Sequence, residues 1–123
     1  MVKLIFCLRR RPDMSAEEFH RYWREEHAPL VTSHASALRI RRYVQVHTVS
    51  GPVNAMLAAS RGAPEGFDGV AELWFDDTEA LVGGAGSDAG RAAAAELALD
   101  EARFIDHSRS PLFVAEEHPV ISG

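Results

Sequence analysis

The sequence predicts an α+β domain with element order β-α-β-β-α-β, in which four strands form one antiparallel sheet and both main helices lie on one of its faces. Three observations carry this expectation. Short runs at Val2 to Arg9, Arg39 to Val49 and Gly69 to Phe75 have the length of strands, and the last two alternate with a period of two. After the first run, a serine followed three residues later by glutamate opens a stretch whose apolar residues recur every three or four positions. A second, alanine-rich helical stretch precedes a last strand-like run at Leu112 to Glu117.

The totals agree with one domain spanning 1–123: 123 residues with 46% hydrophobic content suffice for one core. A net charge of -5 with both signs interspersed offers no basic stripe for a phosphate backbone, so no nucleic-acid partner is expected. The N-terminal apolar run precedes Arg9, Arg10 and Arg11, the reverse of a secretory signal. No apolar stretch approaches the roughly 20 residues that span a bilayer, so no membrane role is expected. A single cysteine, Cys7, excludes an intramolecular disulfide and a cysteine-based zinc site, and it fits a reducing, cytoplasmic setting. Cys7 reads as a strand residue rather than a nucleophile.

The first helix begins at the Ser15-Ala16-Glu17-Glu18 capping box and places Phe19, Trp23, His27 and Leu30 on one face. Pro29 disfavours helical geometry at Ala28 and removes a backbone donor, so a kink or restart is expected near His27. Strand 2 has Ile40, Val44 and Val46 on one side and Tyr43, Gln45 and His47 on the other. The Ser50 to Asp68 connection holds a short helix at Val53 to Ala59 and exceeds the usual 4 to 6 residues, which suggests a lid or dimer arm. Strand 3 puts Ala71, Leu73 and Phe75 opposite Val70, Glu72 and Trp74. The second helical region opens at Asp76-Asp77-Thr78, breaks at Gly83 to Gly86 and resumes from Ser87 or Asp88 to about Asp100.

This order is the split βαβ, ferredoxin-like arrangement, whose right-handed crossovers cover one sheet face and leave the other bare. If the most apolar sides face the helices, the bare face carries Tyr43, Gln45, His47, Val70, Glu72 and Trp74. Such a patch most simply pairs with its own copy about a two-fold axis. The homodimer would enclose a small-molecule pocket with apolar walls and a few polar groups.

The residues Arg10-Arg11-Pro12-Asp13-Met14-Ser15-Ala16-Glu17-Glu18-Phe19, Tyr22-Trp23, His27-Ala28-Pro29-Leu30 and Tyr43-Val44-Gln45 carry a resemblance to a known family. With Asp68-Gly69-Val70-Ala71-Glu72-Leu73-Trp74-Phe75 and, more loosely, the Phe104 to Glu117 region, the chain resembles the EthD family of dimeric α+β barrel proteins. That resemblance implies a homodimeric barrel without metal or organic cofactor. It also implies chemistry of the cyclase, dehydratase, decarboxylase, lyase or cofactor-free oxygenase kind, on aromatic or polyketide compounds. The glycine-rich stretch Gly83 to Gly90 and the long Ser50 to Asp68 loop depart from the pattern.

His27 leads the candidate catalytic residues, because it combines a buried helix face, a proline distortion and a residue type that titrates near neutrality. The opposing expectation is a structural histidine bonded to a carbonyl freed by Pro29. His47 is the second candidate, in a row with Tyr43 and Gln45 that would polarise or orient a substrate. Glu72 would be a buried carboxylate needing a partner, an arginine across the dimer included. Tyr22 and Trp74 would supply aromatic walls, and Asp68 a binding group or simply a turn. His20, His107 and His118 read as surface or terminal residues. No histidine spacing suits a metal, and Gly84 to Gly90 lacks dinucleotide-fingerprint spacing. The sequence thus points to a cofactor-free acid/base enzyme, with an oxygenase or a non-catalytic binding dimer as alternatives.

Overall fold

The computed structural model describes residues 1–123. Its strands β1 (Val2–Leu8), β2 (Arg42–His47), β3 (Gly69–Phe75) and β4 (Leu112–Ala115) form one sheet in the order β2-β3-β1-β4, with every pairing antiparallel. The α+β, ferredoxin-like expectation holds. The helices are α1 (Ala16–Tyr22), α2 (Ala28–Leu38), α3 (Val53–Arg61), α4 (Thr78–Gly86) and α5 (Asp88–Glu101), and short turns at Trp23–His27 and His107–Arg109 complete the chain.

Ser15 caps α1 as expected: its Oγ accepts from the Glu18 N–H at 3.1 Å. The expected distortion at the end of this helix is a π turn over Trp23–His27, after which α2 starts afresh with Pro29 in its first turn. Proline lacks the N–H that an uninterrupted α ladder needs, and that turn position tolerates the loss. Widening the ladder by one residue re-aims His27, a titratable side chain that is only 4% exposed.

The glycines of the second helical region do not break it. Gly83, Gly84 and Gly86 lie inside α4, and the break falls at Ser87, whose Oγ accepts from the Gly90 N–H at 3.0 Å and starts α5. The glycines serve close approach instead. A Cβ on Gly90 would sit 1.7 Å from the Gly84 carbonyl oxygen, and one on Gly84 would sit 2.7 Å from the Leu38 carbonyl oxygen. Three helices thereby meet nearly backbone to backbone.

The core lies between sheet and helices, around Phe6, Leu8, Phe19, Trp23, Ala71, Phe104 and Ile105. The register overturns the expected face of β2. Tyr43 pairs with Leu73, Gln45 with Ala71 and His47 with Gly69, so the Tyr43, Gln45, His47 row faces the helices. Val44 and Val46 turn to the other face, beside Glu72 and Val70. Two local facts explain the reversal. The chain leaves α2 through Arg39 in the left-handed region (φ 61) and enters β2 only at Arg42, so the alternation that links Ile40 to Val44 is interrupted. Gly69 also leaves room that a Cβ would fill at 2.5 Å from Trp23, and the His47 ring stacks on that indole at 4.5 Å between centroids.

Candidate functional site

The helix side of the sheet holds a partly open cavity of about 230 Å³ between the four strands and helices α2, α4 and α5. It lies within one chain, on the side of the sheet opposite the bare face. Of its 20 lining residues 18 are hydrophobic, and the other two are His27 and Glu101. Tyr43 adds a hydroxyl. An apolar enclosure with a few convergent polar groups is the usual form of a small-molecule site.

His27 Nδ1 lies 2.7 Å from Asp100 Oδ2, and the Tyr22 hydroxyl donates to Asp100 Oδ1 at 2.5 Å. Burial by itself would push the Asp100 carboxyl up. The hydrogen bonds from Tyr22 and His27, with the charges of His27 and Arg103, outweigh it and hold Asp100 below the ordinary carboxylate range. An ionised carboxylate only accepts, so the proton of neutral His27 sits on Nδ1. Nε2, which bonds no protein group, carries the lone pair available to a ligand. The ring is held against Phe104, 5.0 Å between centroids. This is the geometry of a general base with its orienting carboxylate.

A second chain of hydrogen bonds fixes Tyr43. Gln45 Nε2 donates to the Trp23 carbonyl oxygen at 2.9 Å, and that acceptor determines which way the amide points. The same nitrogen donates to the Tyr43 hydroxyl oxygen at 2.8 Å. Gln45 Oε1 therefore faces His47 Nε2, 2.8 Å away, and receives its N–H. Since Tyr43 accepts from Gln45, its own hydrogen is left to donate elsewhere. Burial raises the Tyr43 phenol, Gln45 and Trp23 pull the other way, and the Glu101 charge adds to the rise, so the hydroxyl keeps its proton at neutral pH. Burial, then the charges of His20 and Arg24, push the His47 imidazole down, which favours the neutral ring.

The residues singled out in the sequence thus separate into three places. His27, Tyr43, Gln45, His47 and Tyr22 come together on the helix side, with Gln45 and His47 behind Tyr43, and Tyr22 behind His27. Glu72 and Trp74 do not join them. Glu72 lies on the opposite face and pairs with Lys3 of its own chain at 2.9 Å. Trp74 lies there too, between Lys3 and Arg42, whose charged groups are 4.9 and 4.6 Å from its ring centroid. Asp68 is a clasp away from the cavity: its carboxylate takes the Arg10 backbone N–H at 2.9 Å and the Arg10 guanidinium at 2.5 Å.

Sequence reading missed Asp100, Glu101 and the part played by His20. His20 is half-buried, donates to the Asp68 carbonyl at 2.8 Å and stacks on His47 at 4.7 Å between centroids. Asp100 and Glu101 were legible only as the end of an alanine-rich helix, and nothing local shows that α5 returns them to the π turn. No group of three or more His, Cys, Asp or Glu is placed to hold a metal ion. No helix is long and apolar enough to cross a membrane.

The EthD domain profile matches residues 11–108, most of the chain and all of the elements that build this cavity except β1 and β4. The chain belongs to the EthD family. An ethyl tert-butyl ether D family protein from Bacillus halodurans C-125 superposes with a TM-score of 0.63 at 24% identity, over 96% of this chain and 99% of that one. An EthD-like protein from Ralstonia eutropha JMP134 gives 0.62 at 18% identity, over 94% and 89%. A dimeric protein of unknown function with a ferredoxin-like fold, from Bacteroides fragilis NCTC 9343, gives 0.59 at 14% identity, over 94% and 95%. These likenesses concern the fold. No curated protein matches the chain in sequence.

Proposed function

We propose that this EthD protein is a cofactor-independent enzyme of proton-transfer chemistry, acting on a small aromatic or polyketide-like carbonyl compound in the helix-side cavity. The observation that carries this reading is that a base and a hydrogen-bond donor both line one largely apolar cavity. His27 is held by Asp100 with Nε2 free, and Tyr43 is held by Gln45 with its hydrogen free. His27 Nε2 would take a proton from a carbon next to the carbonyl, and the Tyr43 hydroxyl would donate to the oxygen on which the charge collects. In a cyclisation the enolate carbon then bonds to a second carbonyl carbon of the same molecule and the His27 proton passes to the alkoxide oxygen formed there; in a dehydration the enolate expels a β-hydroxyl, which takes that proton and leaves as water. The surrounding apolar residues keep water from competing.

The uncovered sheet face supports a homodimer. Val44, Val46, Val70, Trp74 and Phe113 share it, with Val46 46% and Phe113 49% exposed. A second copy of the same face is the simplest cover, and the Bacteroides fragilis neighbour is described as dimeric. Pocket and dimer interface, which the sequence placed on one face, are in this reading different surfaces on opposite sides of one sheet.

The test is a pool of small carbonyl compounds incubated with wild type and with His27→Ala, followed by mass spectrometry and light scattering. The wild type converts at least one compound, and the variant converts none while its mass in solution is unchanged. Full activity in the variant would remove His27 from the mechanism. An oxygenase reading uses the same base to form a carbanion that meets oxygen; a structural neighbour is described as an antibiotic biosynthesis monooxygenase (TM-score 0.51, 14% identity). Oxygen consumption during turnover separates the two.

A further inference from the structure

We propose that the cavity selects an uncharged carbonyl compound no larger than one substituted aromatic ring, seated with its oxygen on the Tyr43 hydroxyl, and that it rejects a carboxylate of the same size. The proposal rests on the reading of this cavity as the ligand site, and it narrows the ligand from three directions.

Size sets the first limit. A dry protein cavity of about 150 Å³ holds benzene. Scaled to about 230 Å³, this enclosure holds about nine non-hydrogen atoms, one ring with a short substituent. An extended polyketide chain exceeds it.

Charge sets the second. No lysine or arginine lines the cavity, whereas Glu101 does. Asp100 places a second carboxylate directly behind His27, and the cation nearest to it, Arg103, stands 3.9 Å from it with its side chain 73% exposed. His107 Nε2 approaches Glu101 at 3.1 Å from the exposed side. An anionic ligand would therefore leave water for an apolar enclosure whose only possible cation, protonated His27, is already matched by Asp100. A neutral ligand meets no such opposition.

Hydrogen bonding sets the third. The Trp23 carbonyl orients Gln45, Gln45 donates to Tyr43, and the Tyr43 hydrogen is left over. The ligand group that satisfies it is an acceptor, and a ketone or aldehyde oxygen supplies one without charge.

Three probes with equal numbers of non-hydrogen atoms separate these terms: acetophenone, benzoate and isopropylbenzene. Each is titrated into the full-length protein at neutral pH and followed by ligand-observed NMR, with benzophenone as the two-ring control. Acetophenone and isopropylbenzene bind, while benzoate and benzophenone bind at least about tenfold more weakly than acetophenone. Tyr43→Phe weakens acetophenone about fivefold, the worth of one ordinary hydrogen bond, and leaves isopropylbenzene within about twofold. Glu101→Gln strengthens benzoate several-fold relative to acetophenone. Benzoate binding as tightly as acetophenone, or acetophenone indifferent to Tyr43→Phe, overturns the proposed selectivity while the cavity remains a ligand site. Failure of all the probes to bind overturns both.

Discussion

Replacing Asp100 by Asn is the perturbation whose consequences follow most directly from the geometry. The carboxylate accepts two hydrogen bonds, from His27 Nδ1 at 2.7 Å and from Tyr22 at 2.5 Å. An amide of the same shape offers one acceptor and one donor, so only one of the two arrangements survives. If the amide N–H turns to His27, the imidazole must move its proton to Nε2, and the base is lost. If it turns to Tyr22, His27 keeps its tautomer but loses the charge that stabilises its protonated form. Either way both hydrogen bonds lose the charge that strengthens them, at a cost of about 2 kcal/mol. For a chain of this size that lowers Tm by about 8 °C. Turnover falls by about 100-fold or more, the usual contribution of general base catalysis. Asp100 is held below its ordinary value, so its ionisation stabilises the fold at pH above the unfolded carboxyl value near 3.8. That stability is lost as pH falls through the lower folded value, and the Asn variant lacks this part of the acid limb. Thermal unfolding across the acid range and a pH–rate profile are the assays. An Asn variant with wild-type turnover and an unchanged acid limb would refute the base assignment.

Three other outcomes follow from the same contacts. Gly90→Ala forces a Cβ to within 1.7 Å of a backbone oxygen in α4, so α4 and α5 must part, at a cost of about 3 kcal/mol, seen as a Tm about 12 °C lower; an unchanged Tm contradicts the packing described. The lowered His47 value means that below about pH 6.5 the unfolded chain takes a proton that the folded chain refuses until its own lower value is reached. The stability advantage of wild type over His47→Phe, measured by urea unfolding, therefore shrinks with falling pH in that window, by at most about 1.4 kcal/mol per unit, and a constant difference contradicts it. Phe113→Glu puts a charge on the uncovered sheet face, and light scattering should find a monomer that still binds the cavity probes; a dimer of unchanged stability contradicts the proposed interface.

How much of this was legible in the sequence depends on whether the signal was local. β3 was read to its final residues because Gly69 and the following alternation are confined to one strand. The π turn was foreshadowed by Pro29, a single residue with a single backbone consequence. The face of β2 was misread because Val44 and Val46 look like core, yet the strand direction is set at Arg39, three residues before β2 begins. The Tyr43, Gln45, His47 row survived that error as a row, since a two-residue period holds whichever face it points to. Asp100 and Glu101 could not be found, because their meaning depends on α5 lying beside the π turn, some 73 residues away in sequence for the His27–Asp100 pair. The glycines of α4 and α5 were read as helix breakers, whereas their missing side chains matter to neighbours brought near only by packing.

In the proposed reaction His27, oriented by Asp100, removes a proton next to a carbonyl held by Tyr43. This step is tested most directly by following the methyl signal of acetophenone in deuterium oxide with wild type and with His27→Gln. Wild type is expected to exchange the methyl protons for deuterium faster than buffer, whereas the variant binds the ketone but exchanges at the buffer rate. Equal rates for wild type, variant and buffer, with the ketone bound in the cavity, would contradict it.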